Sequence, residues 1–433
     1  MKINKLNLKN FRSFENFEVK FPQKITALIG PNGAGKTSIL DAIAICMTHF
    51  TGELLSEEKN SYDIESWFKS KDITNNFDDG SCRISCDFNR QKQTKLFEIK
   101  VIKRRYEKGL KFDKNPKQFA NELKAKILSG EIKSTPIIVY FNVNRTRIVE
   151  LPKKNSSINN PLLLSYENSL SLNLPSFSTF EKWFINSVIE ENELKVNSEN
   201  FEVELPSLKF IRNILEEYLT YIEPNTFGKI STSTSKGKYP DFEVETQKYI
   251  TIEKHGKKLS FNQLSHGERM MLGMVCETAR RLFLANPEDP KLGSGIILID
   301  ELELHLHPKW QLNIIKAFEK SFPNLSIIFT THSPLVLSGL RRESIKIIQN
   351  GIEITNEELP DIYSDSADEI LFQLMESANS NSEYDDLKSE LDTLFMNLEF
   401  EKAFELLKKV KSQVASNPSW LNDYEQKLLF AIS

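Results

Sequence analysis

Apolar and polar residues alternate from the first positions of the chain. KINKLNLKNF and FENFEVKF both repeat with a period of two, and ITALIG is a short apolar run ending in glycine. Residues 1–30 therefore predict two half-buried strands and a third that runs into a loop. After Lys36 the period changes, and TSILDAIAICMTHF spaces its apolar residues as a helix does. CRISCDF and KLFEIKVIKRRY within 80–106 predict a strand pair, 115–130 a helix, and PIIVYF at 136–141 a buried strand. Between about 150 and 225 a polar loop (NSSINNP) precedes amphipathic helices around FEKWFINSVIEENELK and SLKFIRNILEEYL. STSTSKGKYP at 231–240 predicts a turn, DFEVET and YITIEK a second strand pair, and FNQLSHGERMMLGMVCETARRLFLA a loop opening a long helix. IILID at 296–300 predicts a buried strand, WQLNIIKAFEKSF a helix and LSIIFTTHS another strand. Beyond about residue 365 only helical patterns remain, in ADEILFQLM, YDDLKSELDTLFMNL and EKAFELLKKVKSQV.

Apolar strands alternating with helices imply an α/β core, with antiparallel strands near the N-terminus. About 228 residues separate the glycine loop from LSHGE, room for an additional lobe without a sustained heptad pattern. The expected divisions are 1–150 and 246–355 as the two lobes of the core, 151–245 as a mostly helical insertion, and 356–433 as an acidic helical C-terminal region.

Composition narrows the class. With 39% hydrophobic and 27% charged residues, the chain of 433 reads as globular. No uninterrupted apolar run approaches the roughly 18 residues of a membrane span, and the N-terminus lacks a signal-peptide core, which points to the cytoplasm. Four cysteines are too few for a disulfide scaffold. Cys82 and Cys86, with three residues between them on a strand, share one face as core or surface thiols rather than zinc ligands. The net charge of -4 is unevenly spread: residues 100–147 hold thirteen Lys and Arg against four acids, whereas the tail from Glu357 is acidic. The basic stretch suits either a nucleic-acid-facing surface or a solvated face, and the tail either a docking surface or a helical cap.

The candidate chemistry begins at Gly30-Pro31-Asn32-Gly33-Ala34-Gly35-Lys36-Thr37, a full GxxxxGK[ST] between a strand and a helix. Its glycines let backbone N–H groups turn inward around phosphates, and the helix N-terminus adds its dipole. Asn32 to Ser38 would line the nucleotide, Lys36 would neutralise its β- and γ-phosphates, and Thr37 would ligate Mg²⁺. Asp300 and Glu301 end an apolar strand; Asp300 suits a magnesium ligand and Glu301 a general base on the attacking water. Leu264-Ser265-His266-Gly267-Glu268 opens a helix and reads both as a capping box and as a phosphate-capping loop. His332, in TTHSP, follows a further strand.

LKNFRSFENFEVKF, GPNGAGKTSILDAI, LSHGE, IILIDELELHLHPKWQ and FTTHSP together resemble the ABC-type ATPases of the RecF/SMC/OLD-related group. LHLHP after the acid pair and TPIIVYFNVNR make the chain most similar, within that group, to the PtuA-type ATPases of Septu and retron anti-phage systems. The resemblance is firm over 1–50 and 255–340. It implies a P-loop ATPase head with a mixed sheet, a helical insertion lobe and a helical tail, using ATP and Mg²⁺. It also implies that Arg12 reaches the phosphates, that His332 senses the γ-phosphate, and that Leu264–Glu268 cap the nucleotide of a second protomer. His305 and His307 occupy the dimer-crossing loop, where relatives often have Asp at position 307. Tyr140, Asn142 and Arg145 are candidates for the Q-loop position, or simply a core-strand terminus. The implied partners are a second copy of the chain, or a higher oligomer built from it, and an HNH nuclease of the PtuB kind. In retrons a reverse transcriptase with its DNA joins them, leaving room for nucleic acid and none for a membrane. No HNH, Toprim or PD-(D/E)xK cluster is evident, so cutting falls to another protein. A RecF-like DNA-repair ATPase is the alternative reading.

Overall fold

The computed structural model describes residues 1–56, 72, 81–90, 93–103, 108–112, 114–143, 160–170, 176–235, 247–349, 351–354, 390–395, 397, 399–413, 424 and 428. Its strands are β1 (Lys2–Phe11), β2 (Phe14–Lys20), β3 (Ile25–Ile29), β4 (Ser81–Arg90), β5 (Gln93–Lys103), β6 (Lys108–Phe112), β7 (Ile137–Phe141), β8 (Phe227–Ser235), β9 (Gln247–Lys254), β10 (Lys257–Ser260), β11 (Gly295–Ile299), β12 (Leu325–Thr330), β13 (Ile345–Gln349) and β14 (Ile352–Ile354). The helices between them are α1 (Lys36–Leu55), α2 (Lys114–Leu128), α3 (Pro161–Leu164), α4 (Ser176–Asn197), α5 (Pro206–Ile222), α6 (His266–Ala285), α7 (Pro308–Ser321) and α8 (Pro334–Leu337).

The mixed central sheet has the order β14-β13-β3-β12-β11-β7, parallel throughout except for the β13–β14 hairpin. Its strands read as continuous apolar runs because both faces are covered. The period-two geometry divides them between two cores. Ala27, Ile29, Ile137, Val139, Ile297, Ile299, Ile327 and Phe329 enter one, with α5, α6 and α7. Leu28, Ile138, Tyr140, Ile296, Leu298 and Ile328 enter the other, with α1 and the antiparallel sheet β2-β1-β4-β5-β6. A register shift between Ile3 and Lys5 keeps Ile3, Leu6 and Leu8 on one buried face although their spacing breaks strict alternation. The α/β architecture with antiparallel N-terminal strands is thus as expected.

Helix α1 is long and apolar enough in composition to cross a membrane, yet 89% of that stretch is buried within the fold. It is a core helix lying between two sheets. Cys82 and Cys86 face the same core, and burial pushes the Cys82 thiol up to about 12.

Three local features depart from the expected pattern. Residues 231–235 are not part of a turn: they continue β8 and pair with β9 from Ser231↔Thr251 to Ser235↔Gln247. Alternating Ser and Thr suit a half-exposed strand, and the ladder outweighs their turn preference. The remainder of that segment, 236–240, and the expected strand DFEVET lie outside the described residues. Strands β6 and β10 were not expected, β10 folding back through His255 and Gly256, both at positive φ, as a tight hairpin turn requires, and the hairpin β13–β14 was equally unexpected. Most of the basic side chains between 100 and 116, with Arg145 and Arg147, lie outside the described residues, as does ADEILFQLM.

Residues 376–433 form a second unit. Within it 390–395 and Phe400–Gln413 are helical, and Leu391, Ala403, Leu407, Tyr424 and Leu428 build a small core of their own.

The middle of α6 is anchored by buried charge. Glu277, Arg280 and Arg281 are almost wholly inaccessible, and Arg281 also donates to the carbonyls of Ser165 at 2.6 Å and Glu167 at 2.9 Å. Burial pushes the Glu277 carboxyl up, but the two guanidiniums together outweigh it and hold the group below the usual carboxylate range. Breaking such a cluster from one side leaves uncompensated buried charge. Glu277→Gln is therefore expected to lower stability by about 3–5 kcal/mol in urea unfolding. A loss under ~1 kcal/mol would mean that the two arginines find other partners.

Candidate functional site

Strand β3 ends at Gly30, and the loop to α1 needs backbone that most residues avoid. Gly30 and Gly35 have φ of 143° and 96°; a Cβ would lie 2.0 Å from the Ile348 carbonyl oxygen at the first and 2.5 Å from the Phe14 ring at the second. Both glycines are thus demanded by conformation and by space. The loop folds the Lys36 ammonium back on itself, where Nζ donates to the carbonyls of Gly30 at 2.8 Å and Pro31 at 2.9 Å. Burial pushes the Lys36 pKa down, against the opposing pull of Asp300, Glu301 and Glu303.

That loop borders a cavity of about 440 Å³ lined by Asn32, Gly33, Gly35, Lys36, Thr37, Ser38, Arg12, Ser13, Glu301, Thr330 and His332. Of the residues expected to line the nucleotide, Asn32 to Ser38, only Ala34 is absent from the lining; it is buried. Ser13 and Thr330 were not singled out from sequence. Thr330 could have been, because it ends the strand beside the acid pair. Its hydroxyl donates to Asp300 Oδ1 at 2.7 Å and accepts from the Glu301 amide at 2.7 Å.

The acid pair sits where β11 ends. Thr37 Oγ1 lies 3.0 and 3.1 Å from the two Asp300 carboxylate oxygens, an all-oxygen donor set from α1 and β11 that fits Mg²⁺. Burial raises the Asp300 pKa, while the Thr330 and Thr37 hydroxyls work in the other direction. Glu301 adopts φ 48°, unusual for a residue with a Cβ, and it lines the cavity. His332 lies across from it, with its amide donating to Glu303 Oε1. Burial, then the Lys36 charge, lowers the His332 pKa from the usual imidazole value, which favours the neutral ring. Titration followed by imidazole NMR should give a midpoint below 6.5 that moves upward in Lys36→Ala. An unmoved midpoint would separate His332 from the lysine.

Arg12 reaches the cavity from the β1–β2 turn, itself at φ 51°. Its guanidinium is held by Asp41 at 2.6 Å and Asp72 at 2.9 Å. Of the Q-loop candidates, Tyr140 is buried and bonded to Asp41, Asn142 follows β7 beside Asp300, and Arg145 lies outside the described residues. Neither Tyr140 nor Asn142 lines the cavity.

Residues 264–268 do not line it either. Ser265 N-caps α6, its Oγ accepting from the Glu268 amide while Glu268 Oε2 accepts from the Ser265 amide, so the capping-box reading holds. Glu268 is buried and paired with Lys254. A Cβ on Gly267 would meet the His305 carbonyl oxygen at 2.1 Å, and the His266 and His305 rings stand edge to face at 4.4 Å. The first turn of α6 therefore packs directly on the 305–307 loop, a contact with no sequence signal. His307 accepts from the Lys309 amide through Nδ1 at 3.3 Å and caps α7, a task an aspartate would perform equally.

The family described as "AAA ATPase domain" matches residues 1–337. The chain is 27% identical to the "Retron Vc95 probable ATPase" of Vibrio cholerae, over 80% of this chain and 73% of that protein. It is 28% identical to the "Retron Ec83 probable ATPase" of Escherichia coli, over 81% and 72%. It is 25% identical to the "Septu protein PtuA" of Bacillus thuringiensis, over 83% and 79%. Among solved structures, an Smc head bound to the C-terminal winged helix of ScpA covers 82% of this chain and 96% of its own, at 14% identity and a TM-score of 0.47.

Proposed function

The chain belongs to the AAA ATPase domain family and is an ATPase, and from that premise we propose that it works as a nucleotide-closed dimer regulating a partner nuclease in anti-phage defence. The observation that carries the dimer is the split between two groups of residues. The P-loop, Glu301 and His332 share one cavity, whereas the exposed cap of α6 at Ser265 contributes nothing to it. A second copy, related by two-fold symmetry, would bring that cap and the adjoining His305 and His307 to the γ-phosphate.

Within the site, the P-loop amides and Lys36 bind the β- and γ-phosphates, and Arg12 adds a guanidinium from the β1–β2 turn. Thr37 and Asp300 would hold Mg²⁺, which supplies charge neutralisation on the phosphates when bound. Glu301 orients the attacking water and accepts its proton. Neutral His332 donates to the γ-phosphate side of the reacting group, a task an imidazole performs only while one nitrogen is protonated and the other free. Glu303 fixes that imidazole through the His332 amide.

The defence reading draws on the likeness to retron and Septu ATPases. In it the effector is an HNH nuclease, joined in a retron setting by a reverse transcriptase and its DNA; the region 356–433 is the docking element and the complex is cytoplasmic. Affinity purification from the native host in Mg-ATP, with mass spectrometry and analysis of bound nucleic acid, tests it. A stoichiometric HNH protein is the expected finding. Recovery of recombination proteins with DNA, and no nuclease, would replace this reading with a RecF-like repair role.

A further inference from the structure

Among the described residues, Arg12 is the cavity-lining arginine or lysine delivered from outside the P-loop and its helix, and its side chain is aimed by contacts that run deep into the fold. Its Nη1 donates to Asp41 Oδ2 at 2.6 Å and to Ser38 Oγ at 3.3 Å, and its Nε to Asp72 Oδ1 at 2.9 Å. The other Asp41 oxygen, Oδ1, accepts from the Tyr140 hydroxyl at 2.8 Å. Tyr140 lies in β7, opposite Leu298 of β11 and two residues before the level of Asp300. A continuous line of hydrogen bonds thus joins the sheet strand flanking the acid pair to the guanidinium that lines the cavity.

We infer that Tyr140 and Asp41 are positioning residues that aim Arg12 at the nucleotide phosphates, an inference that rests on the nucleotide reading of the cavity. Two carboxylates more than offset the single charge of Arg12, so what it offers a phosphate is the direction of its N–H groups more than net positive charge. Direction depends on Asp41. The terminal torsion of a carboxylate is soft and is not set by its rotamer; its hydrogen bonds set it. Tyr140 is the neutral donor that takes one oxygen and leaves the other for Arg12. Asp41 also stands on α1, little more than a turn after Lys36, so the helix that follows the P-loop carries the clamp for Arg12 as well. The tyrosine ring packs in the core beside Ile138, Ile296 and Leu298. Phenylalanine preserves that packing and every charge, and removes only the hydroxyl.

A double-mutant cycle on Tyr140→Phe and Arg12→Ala, reading the Kd of Mg²⁺ with a non-hydrolysable ATP analogue by calorimetry, decides the matter. Tyr140→Phe alone is expected to weaken binding about tenfold, and to have no further effect once Arg12 is alanine. Thermal unfolding of all four proteins without nucleotide separates a loss of fold from a loss of binding, since Tyr140 and Arg12 share Asp41 and their effects on stability couple as well. Equal weakening in both backgrounds, or none in the first, would overturn the relay. Failure of the unsubstituted chain to bind the analogue would instead remove the nucleotide reading on which it stands.

Discussion

Lys36→Ala is expected to abolish measurable ATP hydrolysis and to weaken ATP binding by about two to three orders of magnitude while the chain stays folded. The ammonium lies at the cavity wall, bonded to two carbonyls of its own loop. A triphosphate competes for it with far more charge than a neutral carbonyl carries. Charge-assisted hydrogen bonds contribute about 1.5–3 kcal/mol each, and two phosphates share this donor, giving about 3–4 kcal/mol of lost binding. The fold itself should lose little, since burial already disfavours the charged lysine in the empty loop. Isothermal calorimetry and a phosphate-release assay measure both quantities; ATP bound within tenfold of the unsubstituted chain would refute the P-loop assignment.

The same variant addresses the second copy. Ser265→Arg should block the cap of α6 and leave its own P-loop intact. Mixed in equal amounts with Lys36→Ala, half of the dimers are hybrids with one intact composite site, so about a quarter of the activity should return from two inactive parents. No recovery would place the whole site within one chain.

Glu301→Gln should reduce hydrolysis by about two to four orders of magnitude and leave ATP affinity within a few-fold. Glutamine keeps the size of the side chain, and the φ 48° backbone is held by the bond from the residue-301 amide to Thr330 Oγ1. What disappears is the capacity to accept a proton from water. With chemistry blocked and binding intact, light scattering in Mg-ATP should find a dimer, reverting to monomer when nucleotide is removed. Undiminished turnover would point to another base, and Glu303, whose carboxylate holds the His332 amide, would be the first to examine.

The P-loop was legible because its function is local: eight consecutive residues, a strand before and a helix after, supply their own geometry. The acid pair was legible for a related reason, since an apolar strand that ends in two carboxylates must present them at one edge of the sheet. Arg12 was readable only through resemblance, because nothing in residues 1–20 says what its side chain meets. Glu277, Arg280 and Arg281 look in sequence like pairs on a solvated helix face, yet the fold encloses all three. STSTS looked like a turn until β9 supplied a ladder for it.

Sequence by itself therefore determined the elements around the site, the order of the phosphate-binding, capping, acidic and switch segments, and the chemistry each could offer. Tertiary structure alone decided that Tyr140 meets Asp41 across 99 positions of chain, that Thr37 meets Asp300 across 263, and that Gly267 leaves room for the His305 carbonyl. Periodicity and backbone preference act over one or two turns and are written in neighbouring residues. The partner of a buried polar atom is chosen by packing between distant segments, where an unpaired group costs too much to be left unmet.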